Sequence, residues 1–429
     1  MLKRLAVFLL SLAAFTAQAA PEIGHVLVTS ATDQTNATTT WTTPTGFEIT
    51  GAALDANSTY LLLVSAIISG NLTTVDLYEF RTFDAKAAGQ LGESYARLKP
   101  RIADARSGYP YLFMTQVTTD ASPTGDDYEF QFRVNTGTDT AQIADFYMLA
   151  IKTDDITASD FKYNDHTTDI NDPVTWTDGA SVTLGDGSSN WLVISTMKCV
   201  PDLATADSCM GRLSVDAVTR NGIRDEHIDL DENFVMGWAS YLAAPASSIV
   251  VKNQVQSFSG NWDITNNTIF ALRLDAFEDH NGVWDTTSVP ITGFDTDFIT
   301  ATSAFTTVTV ATENWLWLGD QHYSVGTGGE QMSYRLNDST RGLIAGSTNT
   351  EYVENRDNAA DQRHVFWGED ASVANSTAYD VDHIVQENTG VTPQPVVDET
   401  VVVAFTWELA TGGGGAVPIT VDHARRRTQ

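Results

Sequence analysis

Asn57-Ser58-Thr59-Tyr60-Leu61-Leu62-Leu63-Val64-Ser65 reads as an Asn-led turn delivering the chain into an aromatic-led apolar run. The same phrase returns at Asn190-Trp191-Leu192-Val193-Ile194-Ser195 and at Asn314-Trp315-Leu316-Trp317-Leu318-Gly319. The leading aromatics stand 131 and 124 residues apart (191 − 60 and 315 − 191). Asn suits such a turn because it tolerates the left-handed backbone region and hydrogen-bonds its own turn. Runs this dense in apolar residues imply a strand covered on both faces or packed at the centre of a sandwich.

Each phrase carries further landmarks in a constant order. An Arg follows the aromatic by 21, 21 and 20 residues (81 − 60, 212 − 191, 335 − 315), at Arg81, Arg212 and Arg335. Asp84, Asp216 and Asp338 come shortly after. Every copy closes on an apolar run, at 146–151, 269–274 and 401–409. Before the first of these, Tyr128-Glu129-Phe130-Gln131-Phe132-Arg133-Val134 alternates strictly, as a half-buried strand does. A period near 127 residues is the size of a domain rather than of a solenoid repeat. Short strands punctuated by Thr, Asn, Asp and Gly turns argue for sandwiches. The expected fold is all-β, with three tandem antiparallel β-sandwich, jelly-roll-like modules over 21–157, 158–284 and 285–411. They are expected to follow one another as separate beads. The repeated Arg is expected to make a structural ion pair. A flexible Gly-rich basic tail is expected over 412–429, where Gly412 to Gly415 precede Arg425-Arg426-Arg427.

The N-terminus supplies a compartment. Lys3 and Arg4 precede an apolar stretch over 5–15, and Ala17-Gln18-Ala19 then offers a small-x-small cleavage pattern. That order describes a secretory signal peptide over 1–19, cleaved in the mature chain. The stretch is shorter than the roughly 20 apolar residues a spanning helix needs, and no other apolar run is longer than a strand. Export fits the two cysteines, Cys199 and Cys209, whose close spacing reads as one disulfide closing a local loop in an oxidising compartment. The expected location is extracellular or at the cell surface, with the periplasm as the other exported compartment. The net charge is −31, which repels phosphate backbones and argues against a nucleic-acid partner.

The Asn turn, the aromatic-Leu-x-Leu run, the Arg-bearing alternating strand and the apolar closing strand together resemble the jelly-roll modules of phage and bacterial surface or tail-fibre-type proteins. These are the C1q/TNF-like sandwiches. The resemblance implies display or attachment rather than catalysis. A signal peptide departs from phage tail proteins, which assemble inside the cell, and points to a secreted surface protein.

Catalytic grammar is sparse. The chain has no Gly-x-Ser-x-Gly elbow, His-Glu-x-x-His helix or Gly-x-x-x-x-Gly-Lys phosphate loop. Its eight histidines stand singly. Asp279-His280-Asn281-Gly282-Val283-Trp284-Asp285 has the look of an acidic calcium loop, but Phe277 and Ser288 fall where its two anchoring ligands belong. Asp229-Leu230-Asp231-Glu232-Asn233 and Asp169-Ile170-Asn171-Asp172 are as acidic without a template. Turn chemistry and solvated charge account for all three, so no metal, cofactor or catalytic residue is assigned. Trp176, Trp262 and Trp284 are read as exposed aromatics near module junctions, suited either to stacking sugar rings or to covering the junctions. The function expected is a non-enzymatic exported protein presenting its modules to a glycan or protein partner, with self-association possible. Two other readings are a structural subunit of an extracellular fibre, coat or virus particle, and a secreted carbohydrate-active enzyme, which needs only two well-placed carboxylates.

Overall fold

The computed structural model describes residues 22–30, 34–71, 77–98, 107–136, 139–185, 188–202, 207–227, 232–245, 247–258, 262–290, 299–300, 305–308, 313–324, 331–338, 342–343, 352–354, 361–373, 378–387 and 396–410. The signal segment, the basic tail and Asp229-Leu230-Asp231 lie outside them. Strands make up most of the described chain, and nearly all their pairings are antiparallel.

Three blocks of strands repeat one order. In each block the first strand is His25–Ser30, Phe161–His166 or His280–Asp285, and the second is Glu48–Ile49, Thr177–Leu184 or Phe305–Val308. The third is Thr59–Asn71, Trp191–Pro201 or Glu313–Ser324, and the fourth is Tyr78–Asp84, Asp207–Val215 or Gln331–Asp338. Fifth come Ala96–Leu98, Val218–His227 and Tyr352–Glu354; sixth, Ser107–Thr118, Phe234–Leu242 and Asp361–Val373. Seventh are Tyr128–Val134, Ile249–Ser257 and Ala378–Glu387; eighth, Thr140–Lys152, Trp262–Arg273 and Val396–Thr406. Every block pairs these as one sheet in the order first-eighth-third-sixth and a second sheet in the order second-seventh-fourth-fifth. That is jelly-roll topology.

Register places the sequence landmarks together. Tyr60, Trp191 and Trp315 pair with Lys152, Arg273 and Thr406, at the closing end of the eighth strand in all three blocks. The Asn turn behaves differently in two of the copies. Asn57 takes the left-handed region at φ 52°. Asn190 instead accepts hydrogen bonds on Oδ1 from the Tyr241 hydroxyl at 3.0 Å and the Ala244 N–H at 3.1 Å. Cys199 and Cys209 form a disulfide joining the third and fourth strands of the middle block, with Cα atoms 6.5 Å apart.

The blocks are not beads. The outward faces of their first-eighth-third-sixth sheets carry Leu61 and Leu63, Leu192 and Ile194, and Leu316 and Leu318, and these bury one another in a shared core. A small apolar cavity lies where all three meet, lined among others by Leu63, Leu192, Leu318, Trp367 and Phe405. Apolar surface on the outside of a sandwich has no partner in its own block, so it is removed from water only by packing on the other two. Backbone contacts close a ring around this core. Arg97 of the first block's fifth strand bridges Asn233 before the second block's sixth strand. Arg224 pairs with Asp361, carrying the same relation from the second block to the third. Tyr352 and Val353 pair with Ser107 and Gly108, returning from the third block to the first. A head-to-tail contact that closes after three copies is complete in itself. Gly237 marks how near the sheets approach, since a Cβ there would meet the Ser195 carbonyl at 2.4 Å and Leu112 at 2.8 Å.

Candidate functional site

The second sheet of each block turns its other face away from the shared core. In the first block that face holds Arg81 and Glu79 on the fourth strand, Glu129, Gln131 and Arg133 on the seventh, and Arg97 on the fifth. Period-two alternation makes this inevitable: Tyr78, Phe80, Tyr128, Phe130 and Phe132 go inward to the core, so their neighbours point out. Trp41, beside the seventh strand, and Tyr95, next to the fifth, flank the group and meet edge to face at 6.3 Å.

Arg81 organises one half. Its guanidinium carbon lies 4.1 Å from the centre of the Trp41 ring and 4.4 Å from that of Phe83. Its Nε and Nη2 donate to Gln131 Oε1 at 2.9 and 2.6 Å. The other end of that amide donates from Nε2 to Glu129 Oε2 at 2.7 Å, and the Thr43 hydroxyl donates to the same oxygen at 2.6 Å. The carboxylate thus fixes which way the amide points, and the amide fixes the guanidinium. Burial and the neighbouring Arg133 lower Arg81 from the ordinary arginine value, with Glu129 opposing them. Glu79 organises the other half. Nearly buried, it accepts from the Tyr95 hydroxyl at 2.7 Å and from Arg133, and lies 3.4 Å from Arg97 Nε. Burial, then the bond to Glu79, push the Tyr95 phenol above its usual range.

The second block repeats the first half. Arg212 lies 3.9 Å over Trp176, and its Nε donates to Gln254 Oε1 at 3.0 Å. Gln254 Nε2 donates to Asp178 Oδ1 at 2.8 Å, and Lys252 pairs with the same carboxylate. Lys252 and then Gln254 hold the Asp178 carboxyl below the usual range. The ion pair expected of the repeated Arg is therefore replaced, in both blocks, by an indole face and a glutamine carbonyl. Arg335 holds the fourth-strand position in the third block, opposite Ile384.

The other residues singled out by sequence fall elsewhere. Trp262 is 1% exposed and belongs to the middle block's core, which corrects its reading as an exposed aromatic. Trp284 covers the contact between the second and third blocks, lying 3.5 Å under Arg220. Arg220 also donates to Ser240 Oγ and the Tyr241 carbonyl, each at 3.0 Å, and burial pushes it down to about 10. The segment resembling a calcium loop is the strand His280–Asp285, paired along its length with Val396–Thr406, so its side chains alternate between two faces. No group of three or more His, Cys, Asp or Glu side chains among the described residues is arranged to hold a metal. Sequence reasoning missed Trp41 and Gln131 as site residues; the alternating segment contained Gln131, but nothing local distinguished it from a solvated polar position.

No family model matches the chain, and no curated protein does. A structure of Sulfolobus turreted icosahedral virus aligns over 93% of each chain at 11% identity and TM-score 0.19. A tandem carbohydrate-binding module pair from Paenibacillus barcinonensis Xyn10C aligns over 59% of this chain and 99% of its own, at 8% identity and TM-score 0.17. PNGase F, a glycosylasparaginase from Flavobacterium meningosepticum, aligns over 61% and 98%, at 7% identity and TM-score 0.28. Likenesses this remote carry no argument about what this chain does.

Proposed function

We propose that this chain is an exported, non-enzymatic binding protein whose three jelly-roll modules present their outward sheet faces to a glycan. The observation that carries the reading is the recurrence of one Arg-Trp-Gln arrangement, at Arg81-Trp41-Gln131 and at Arg212-Trp176-Gln254. Indole rings and fixed guanidinium donors on a rigid sheet match a ligand that is apolar on its ring faces and polar at its rim. Export is supported by the positive and apolar N-terminal segments and by the disulfide. The absence of catalysis is supported by the engagement of the one nearly buried carboxylate of the face, Glu79, with Tyr95, Arg97 and Arg133. The test is retention of the purified chain on a panel of immobilised polysaccharides, alongside Trp41→Ala and Trp176→Ala. Retention of the parent and loss in the double variant, at unchanged melting temperature, is expected. Retention by no polysaccharide, or equal retention of the double variant, would refute it.

A structural subunit of a coat or particle is the second reading, favoured by large exposed apolar side chains on the middle block. Phe258 is 64% exposed and Val174 57%. Sedimentation of the parent and of Phe258→Ser tests this reading, since a subunit that assembles through this patch loses assembly on that change.

A further inference from the structure

We infer that Arg81 and Arg212 are carboxylate receptors, and that the glycan this protein holds is an acidic one, gripped through its uronate groups. The inference rests on the glycan-binding reading above and adds its chemical class.

The argument starts from donors without acceptors. A guanidinium has five N–H groups in a fixed fork. Arg81 spends two on Gln131 Oε1, and its guanidinium carbon lies over the rings of Trp41 and Phe83. The remaining donors, both on Nη1 and one on Nη2, have no acceptor among the described residues. Two of them lie along the Nη1–Nη2 edge, which is the edge that grips a carboxylate with two parallel hydrogen bonds. Arg212 spends only Nε, leaving the same edge without an acceptor.

Acid is abundant in this chain, with 55 Asp and Glu against 24 Lys and Arg, so an arginine left without a carboxylate calls for a reason. Around Arg81 each neighbouring carboxylate is committed elsewhere. Glu79 is held by Tyr95, Arg97 and Arg133, and Glu129 by Thr43 and Gln131. In the second block Asp178, which Gln254 joins to Arg212, is also held by Lys252. In both blocks a glutamine stands between the carboxylate and the arginine. It orients the guanidinium without neutralising it, which preserves a positive charge for an outside anion. Arg97 and Arg133 add to that charge in the first block.

A glycan fits better than an acidic peptide, because each receptor sits against a partly exposed indole that can take the apolar face of a sugar ring. The recurrence of the receptor in two blocks also suits a polymer whose carboxylates recur. The chain's overall negative charge rejects anionic polymers everywhere else, so attraction is confined to these faces.

The probe is polygalacturonate, titrated calorimetrically against the full chain at about 0.15 M salt, where long-range repulsion is screened. Its fully methyl-esterified form keeps the rings and removes the charge, and polyglutamate supplies carboxylates without sugar. Polygalacturonate is expected to bind at least about ten-fold tighter than either control. Arg81→Gln and Arg212→Gln should each weaken it, and the double variant should lose it, with melting curves confirming the fold. Arg81→Lys, which keeps charge but not the fork, should weaken it as well. Equal binding of the ester would overturn the acidic class while leaving glycan binding standing. Equal binding of polyglutamate would overturn the choice of a glycan. Unchanged binding by the folded double variant would overturn the site.

Discussion

Arg363 grips Asp320 side-on in the interior of the ring, its Nε 3.2 Å from Oδ1 and its Nη2 2.6 Å from Oδ2, with both side chains 0% exposed. The pair does more than neutralise itself. Ala239 lies on the sixth strand of the middle block, which is an edge of its sheet. Its backbone N–H donates to Asp320 Oδ2 at 2.7 Å, and its carbonyl accepts from Arg363 Nη2 at 3.2 Å. A buried strand edge must find partners for its backbone groups. Here the third block supplies them with two side chains. Ser65 does the same for the third block's own sixth strand, donating to the Val365 carbonyl at 2.6 Å. Arg363 Nη1 also reaches Glu399 Oε1 at 2.9 Å. Burial alone would lower Arg363, but the two carboxylates outweigh it and hold the guanidinium charged.

Arg363→Met should therefore destabilise the protein by about 3–5 kcal/mol, because it strands two buried carboxylates and the Ala239 carbonyl. Joint replacement of Arg363, Asp320 and Glu399 by apolar residues of similar volume should recover part of that loss. Urea unfolding of both variants measures it. A triple variant weaker than the single one would show that the cluster is worth more than its own desolvation.

The shared core should behave as one packing unit. Leu318→Ala and Leu63→Ala remove side chains that line the central cavity from two different blocks. Each is expected to cost about 2–5 kcal/mol, and the pair should depart from additivity because the enlarged cavity is common to both. Denaturant midpoints of the single and double variants decide this. Strict additivity would mean that the blocks do not share their interior.

Reducing the disulfide should be felt within the middle block. Cys199→Ala with Cys209→Ala opens a loop of sequence separation 10, for an expected loss a little under about 3 kcal/mol. Thermal melts under oxidising conditions compare the two proteins, and the parent in reductant should fall to the variant's value.

Glu408 gives a pH-dependent prediction. Burial, then the charges of Glu22, Glu278 and Asp279, raise its carboxyl above the usual range. A carboxyl raised in the folded state binds its proton more tightly there than in the unfolded chain. Stability therefore falls as pH climbs from the unfolded value, about 4.3, through the folded one, and is level above it. Glu408→Gln should raise the melting temperature at neutral pH and make no difference below about pH 4. A benefit that persisted in acid would point to packing rather than charge.

The strands and their buried faces were within reach of the sequence because their causes are local. The aromatic at each third strand, the alternation of Tyr128–Val134 and the closing runs each set a strand and its buried face through neighbours a few residues away. The pairing of Cys199 with Cys209 was legible for the same reason, since ten residues separate them. The apolar runs allowed a third strand covered on both faces or one packed at the centre of a single sandwich, without deciding between them. What covers the outer face depends on contacts between residues hundreds of positions apart, such as Ser65 with Val365, and only the closed ring decides it. The binding face depends on the same distance. Arg81 reads as a candidate for a structural ion pair until the tertiary structure sets it over the Trp41 ring and against the Gln131 amide. Sequence determined which residues leave the core, because alternation is a property of the strand. Tertiary structure alone determined which of those residues stand side by side, because that is a property of which strands pair.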